Sequence, residues 1–218
     1  MENFCTSGQR EVRETSDLQA VLFDKSFKNN FVVYEVCRKE EEKGVLERDL
    51  TLIHPTLLGR ELPKTFGHYH KNQEAELYEV IFGKALFLMQ KYGSNPLIIQ
   101  EVYLIEAEPK EMVVIPPGFS MTTINADQNQ ELLVSNWVSA AIRNDYELFR
   151  KTRGASYYIL AGENGKIILE KNSNYQRMPE LVRLRPKPLA EDLKNLEFLA
   201  NSSNYQKFLT IENLYHRI

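Results

Sequence analysis

Between residues 31 and 170 the chain is a succession of short runs rich in Val, Ile, Tyr and Phe, separated by turn residues. Phe31–Cys37, Leu50–Ile53, Leu77–Phe82, Ala85–Gln90, Leu97–Ile105 and Met112–Ile115 are such runs; Leu132–Val138, Ser156–Leu160 and Lys166–Leu169 follow. β-Branched and aromatic side chains suit a pleated, half-buried surface. No helical periodicity lies between the runs, so a parallel α/β sheet is disfavoured and an all-β sandwich or barrel of antiparallel strands is expected. Gly83-Lys84 and Asn164-Gly165 read as hairpin turns, the second more strongly because Asn-Gly tolerates positive φ. Arg38–Lys43 (RKEEEK) mixes both charge signs beside Gly44 and reads as a solvated loop between two strands.

The ends break this pattern. Ser16–Asp24 is expected as a short helix capped by Ser16. The stretch RMPELVRLRPKPLA, with three prolines, reads as an extended linker. Ala190–Ala200 follows, with Leu193, Leu196 and Leu199 spaced by three, as in an amphipathic helix. The organisation expected is therefore an N-terminal arm (1–30), a barrel (31–170), and a linker with a short helical C-terminal extension (171–218). At 218 residues and 43% hydrophobic, the chain has the material for one such core.

Whole-chain properties mainly exclude. No run of about 18 apolar residues is present, so no membrane partner is expected. The start MENFCTSGQREVRE has no secretory apolar stretch, which points to the cytoplasm, and there Cys5 and Cys37 are most simply reduced thiols. A net charge of −3 provides no field for a polyanionic backbone, so no nucleic acid is expected either.

The chain has four histidines, and two of them stand in Gly67-His68-Tyr69-His70. On a strand, residues i and i+2 share a face, so both imidazoles project together. Two neutral ring nitrogens on one face suit a divalent metal, and Glu76 on a neighbouring strand would complete a two-histidine, one-carboxylate set with open positions. Two histidines on a half-exposed strand are also ordinary polar residues, and H-x-H alone does not decide between these readings. His54 and His216 have no partners at ligand spacing and read as surface or packing residues.

The flanking residues carry more information. G-H-x-H, then Glu76, then six residues and Gly83, resembles the first motif of the cupins. Ile115-Pro116-Pro117-Gly118 through Asn125 stands where the second motif belongs, in a turn feeding a strand that usually supplies another histidine. That position is Met121 here. A thioether is a weak ligand beside nitrogen and oxygen donors, and Met121 reads as an apolar filler of the barrel interior.

More specifically, residues 30–170 are similar to the cupin-type glucose-6-phosphate isomerases known mainly from archaea. VVYEV (32–36), TLIHPTLLGRELPKTFGHYH (51–70) and AELYEVIFGKALFLMQ (75–90) carry the resemblance. It implies a double-stranded β-helix (jelly-roll) barrel, usually a homodimer, holding one divalent metal (Fe, Mn, Ni or Zn) on His68, His70 and Glu76. It implies interconversion of glucose 6-phosphate and fructose 6-phosphate in glycolysis and gluconeogenesis. Glu76 is then the catalytic base as well as a ligand, with a metal-assisted hydride shift as the competing family mechanism. Tyr34, Thr51, Thr65 and Gly67 fall on phosphate-contacting positions, and such hydroxyls with a glycine N–H bind phosphate with little positive charge. Tyr78 shares the face of Glu76 and takes a supporting role. Asn144, in Arg143-Asn144-Asp145-Tyr146, replaces a substrate-contacting histidine of the family, and Arg143 beside it is an alternative contact. Trp137 lies near a family aromatic position and reads equally as core. Met121 and Asn144 also suit two other readings: a non-catalytic sugar-phosphate-binding cupin, or a cupin acting on another sugar phosphate or a nucleotide sugar.

Overall fold

All nine β-rich runs are strands in the computed structural model, which describes residues 4–218. In chain order the first eight strands are β1 (Gln9–Glu14), β2 (Val32–Lys43), β3 (Leu46–Ile53), β4 (Tyr69–His70), β5 (Glu76–Phe82), β6 (Ala85–Tyr92), β7 (Ile99–Ala107) and β8 (Met112–Ile115). They are followed by β9 (Ser120–Asn125), β10 (Leu132–Ser139), β11 (Asn144–Asp145), β12 (Tyr157–Ala161), β13 (Ile167–Lys171), β14 (Val182–Pro186) and β15 (Tyr215–Arg217). Three short α-helices, α1 (Thr15–Leu18), α2 (Glu147–Thr152) and α3 (Ile211–Leu214), complete the regular structure.

Two sheets form the barrel, one in the order β1-β2-β3-β10-β5-β8 and one in the order β15-β14-β7-β6-β9. From β5 to β10 the chain passes repeatedly between them, which is the winding of a jelly roll. Their inner faces bury Phe87, Met89, Ile105 and Val113, while Leu88 and Leu104 are buried on the outer face of the second sheet. The fold is thus all-β with a short helical C-terminal extension, and among the described residues no helix is long and apolar enough to cross a membrane.

Several local expectations are corrected. Gly83-Lys84 is a turn but not a hairpin, because β5 and β6 lie in different sheets and the turn carries the chain round a corner. Gly83 has φ +86°, and a Cβ there would meet the Glu131 carbonyl oxygen at 2.5 Å. Asn164-Gly165 does close a hairpin, with β12 pairing to β13 on either side. The charged run 38–43 is not a loop: β2 continues through it past a bulge, and its charges pair with those of β3. Glu14, not Ser16, caps the first helix, which runs from Thr15 and continues as a 3-10 turn to Val21.

The C-terminal region differs most. Part of the expected linker is β14, which pairs in parallel with β7 and extends the second sheet. Residues 190–200 do not form a continuous helix but two 3-10 turns, Glu191–Leu193 and Glu197–Leu199. Leu196 between them adopts φ 64°, and the Asn195 side chain accepts from the Glu197 N–H at 3.0 Å. That local hydrogen bond competes with the helical ladder. Leu193 and Leu199 are still buried, so the apolar spacing serves packing without a helix.

The cysteines are joined as a Cys5–Cys37 disulfide, contrary to the reduced state expected from compartment. The pairing of β1 with β2 sets Arg10 opposite Cys37 and brings Cys5 alongside. Glu40 secures the same segment by accepting from the Thr6, Ser7 and Gly8 main-chain N–H groups at 3.0–3.2 Å.

Candidate active site

The first sheet's inner face and the segment leading into β4 enclose a cavity of about 450 Å³. Strand alternation places Tyr34 and Arg38 of β2, Asp49 and Thr51 of β3, Asn136 of β10, and Glu76 and Tyr78 of β5 on its wall. The opposite wall is the stretch 63–70, which runs beside β9. Thr65 N–H donates to Thr123 O at 2.9 Å, and His68 and Met121 exchange main-chain hydrogen bonds of 3.2 and 3.1 Å. Gly67 makes this path possible. Its φ is +81°, and a Cβ would lie 2.2 Å from Thr122 Oγ1 and 2.4 Å from Phe149 Cε1.

The two histidines point the same way, with their Nε2 atoms 3.2 Å apart. Ligand atoms of His68, His70 and Glu76 all lie within 4.8 Å of one another. His70 Nδ1 faces the Glu74 carbonyl at 3.3 Å and its Nε2 lies 3.4 Å from Glu76 Oε2. Burial holds the His68 imidazole down at about 4, against the opposing pull of Glu76. Burial also acts on His70 and Glu76, but their mutual contact outweighs it, raising the imidazole and lowering the carboxyl.

Glu76 is divided. Its Oε1 accepts from the Tyr78 hydroxyl at 2.9 Å and from Asn136 Nδ2 at 2.9 Å. Its Oε2 is buried without a hydrogen-bond donor. Burial, and then the charge of Glu76, push the Tyr78 phenol well above its ordinary value, so it stays a donor. Two ring nitrogens and an unsatisfied carboxylate oxygen converging in a buried corner fit a divalent cation of the first transition row. The other cluster of this composition, Cys5, Cys37 and Glu40, has its sulfurs committed to the disulfide.

Tyr34, Thr51, Thr65, Gly67, His68, Glu76, Tyr78 and Asn144 all line the one cavity, with His70 beside His68 behind its wall. Burial pushes the Tyr34 phenol up to about 12, so it too is a neutral hydroxyl. Asn144 pairs with His70 across β11 and β4 and donates to the Tyr146 hydroxyl at 3.2 Å. Arg143 also lines the cavity, but its guanidinium folds back onto the Ala140 and Ile142 carbonyls at 3.1 and 2.8 Å. Met121 is 3% exposed, lines the cavity floor, and accepts at Sδ from the Thr123 hydroxyl at 3.1 Å. Trp137 points away from the cavity, half-buried with Arg48 over its ring. His54 bridges Glu35 and Glu131 on the barrel exterior.

Sequence reasoning passed over Asn136 and the Arg38–Asp49 pair, whose nitrogen and oxygen lie 2.6 Å apart on the cavity wall. A readable sign of Asn136 was its place between Val134 and Val138 on the inward face of an apolar strand.

Comparison with known proteins identifies the family of the chain. The family model for glucose-6-phosphate isomerase (GPI) matches residues 12–177. The glucose-6-phosphate isomerase of Thermococcus litoralis is 30% identical over 179 residues, 78% of this chain and 90% of the relative. That of Pyrococcus abyssi (strain GE5 / Orsay) is 30% identical over 174 residues, 76% and 87% of the two chains. Among solved structures, a cupin 2 conserved barrel domain protein from Rhodopseudomonas palustris superposes with a TM-score of 0.40 at 11% identity. It covers 64% of this chain and 77% of its own. The chain belongs to the glucose-6-phosphate isomerase family, in its cupin-type form.

Proposed function

We propose that this chain is a metal-dependent glucose-6-phosphate isomerase, interconverting glucose 6-phosphate and fructose 6-phosphate in glycolysis and gluconeogenesis. The observation that carries the reading is the convergence of His68, His70 and Glu76 on the hydroxyl-lined cavity of Tyr34, Thr51 and Thr65. A divalent metal on those three residues would act as a Lewis acid toward the two adjacent sugar oxygens. The chain's own groups do the rest. Tyr34, Thr51 and Thr65 hydroxyls and the Gly67 backbone hold the phosphate, fixing the sugar chain in register with Glu76. Glu76, ligand and base together, removes the proton from C2 of the aldose and returns it to C1, as carbonyl and hydroxyl exchange places through an enediol. Tyr78 and Asn144 steady the carboxylate and the substrate hydroxyls. Sugar phosphates do not cross membranes unaided, which favours a cytoplasmic enzyme. The exposed apolar Ile81, Phe82 and Met112 favour a homodimer, to be read by light scattering.

Purified protein reloaded in turn with Fe, Mn, Ni and Zn is expected to form fructose 6-phosphate, and a His68→Ala variant is not. Turnover no higher than that variant's with every metal would sink the proposal. In D₂O, deuterium entering the product carbon supports the proton route, and its absence supports the hydride shift. Met121 at the fourth-ligand position favours one other reading, a sugar-phosphate-binding cupin without catalysis. Stoichiometric metal in untagged protein counts against it.

A further inference from the structure

Asn136 is an expensive residue where it stands. It is 6% exposed, on the inward face of β10, an interior strand of the first sheet. A primary amide buried without partners is destabilising, and an aliphatic residue would continue the Val134–Val138 face at no such cost. Its cross-strand neighbours are Asp49 on β3 and Tyr78 on β5. Asp49 is already engaged with Arg38. The Asn136 amide instead reaches diagonally past Tyr78 and donates to Glu76 Oε1 at 2.9 Å.

The same oxygen accepts from Tyr78, so two donors from two strands converge on Oε1 while Oε2 receives none. One donor alone leaves the carboxylate free to rotate about its last torsion and exchange the roles of its oxygens. Two donors from different directions fix both the oxygen and the plane. We propose that Asn136 is a positioning residue, which with Tyr78 locks Glu76 Oε1 so that Oε2 faces the His68–His70 pair. This rests on the metal-dependent reading above and deepens it. Asn136 stands on the cavity wall with its amide turned to Glu76. It acts through Glu76, as outer hydrogen-bond partners of metal ligands do, where loss lowers metal affinity or activity by roughly 10–100-fold.

The test compares wild type with Asn136→Leu, close in volume and unable to donate, and with Asn136→Ala. Co²⁺ is titrated into metal-free protein, and its visible d–d absorption reports both affinity and ligand geometry. Both variants are expected to fold, to bind Co²⁺ about 10–100-fold more weakly with a changed spectrum, and to lose kcat while KM for glucose 6-phosphate stays within about threefold, because the phosphate hydroxyls are untouched. A role limited to packing predicts the opposite pattern: wild-type Co²⁺ affinity and spectrum in Asn136→Leu, with losses confined to thermal stability. That result overturns the proposal, as does a loss confined to KM. Wild type serves as the separate control. Co²⁺ binding without isomerase turnover refutes the catalytic reading and leaves the positioning role to be decided by the variant-to-wild-type affinity ratio. A wild type that binds no Co²⁺ overturns both.

Discussion

The buried Glu61–Lys64 pair offers a sharp test of what holds the active-site wall in place. Their side chains are 1% and 8% exposed and in direct contact. Lys64 Nζ also donates to Val21 O at 2.8 Å, and Glu61 Oε2 accepts from Phe23 N–H at 3.0 Å. The pair therefore pins the segment after α1 against the stretch that continues into Thr65 and Gly67. Removing one partner of such a pair leaves an uncompensated buried charge and destabilises by about 3–5 kcal/mol. Lys64→Met and Glu61→Gln are each expected to lose about that much, whereas the double variant, with no net buried charge, should lose only about 1–2 kcal/mol. The assay is urea unfolding at 25 °C and pH 8 for all four proteins, analysed as a double-mutant cycle.

The pH dependence carries an independent sign. Burial raises the Glu61 carboxyl even against the pull of Lys64. Without Lys64 it rises further, so the folded state of Lys64→Met prefers a protonated Glu61. That variant is then penalised as pH climbs above the unfolded carboxylate value, about 4.3. Its deficit relative to wild type should be small at pH 5 and largest at pH 8. Singles that lose less than 1 kcal/mol, losses that simply add in the double variant, or a deficit that shrinks with rising pH would each refute the reasoning.

Other expectations follow from single features. Gly67→Ala adds left-handed strain and a close overlap with Thr122 and Phe149, together about 2–5 kcal/mol. Calorimetry should show Tm lower by roughly 5–15 °C, and a shift under 2 °C counts against the tight-approach argument. Replacing both Cys5 and Cys37 by Ser opens a loop with a sequence separation of 32. Chain entropy puts the loss near 3–4 kcal/mol. Dithiothreitol should give a comparable drop in Tm in wild type and none in the double-serine variant; an unchanged wild-type Tm refutes it. Met121→His sets an imidazole beside His68 through the existing main-chain pairing. Mn²⁺ affinity by calorimetry should rise by about tenfold, near 1.4 kcal/mol, and an unchanged or weaker affinity tells against the placement of that side chain.

What could be read without coordinates was whatever repeats with the strand period. The runs from Phe31 to Leu169 mark strands because alternation and β-branching are properties of each segment alone. The convergence of His68 and His70 follows from the same two-residue period. Features that depend on which strands become neighbours were out of reach. The Gly83-Lys84 turn signal is genuine, yet nothing local distinguishes a hairpin from a corner between sheets. Asn136 gains its meaning only from the register that sets it beside Tyr78. The 190–200 stretch misleads because leucines spaced by three bury equally well on successive tight turns, once Asn195 takes the Glu197 N–H. Cys5 and Cys37 were judged by compartment, an argument that says nothing about the strand pairing that brings them together.

The position of the C-terminal extension has a consequence for the order of assembly. Ser202 Oγ accepts from Ala75 N–H at 2.8 Å, across 127 residues, immediately before Glu76. The Tyr215 hydroxyl donates to Val114 O, and β14 covers the flank of β7. As the chain leaves the ribosome, every proposed metal ligand is thus made long before the residues that finish its surroundings. Until Val182–Pro186 emerges, β7 presents an open hydrogen-bonding edge, a place where nascent chains associate wrongly. Catalytic competence should therefore appear late in synthesis. A chaperone that shields that edge would raise the yield of active enzyme more than its final stability.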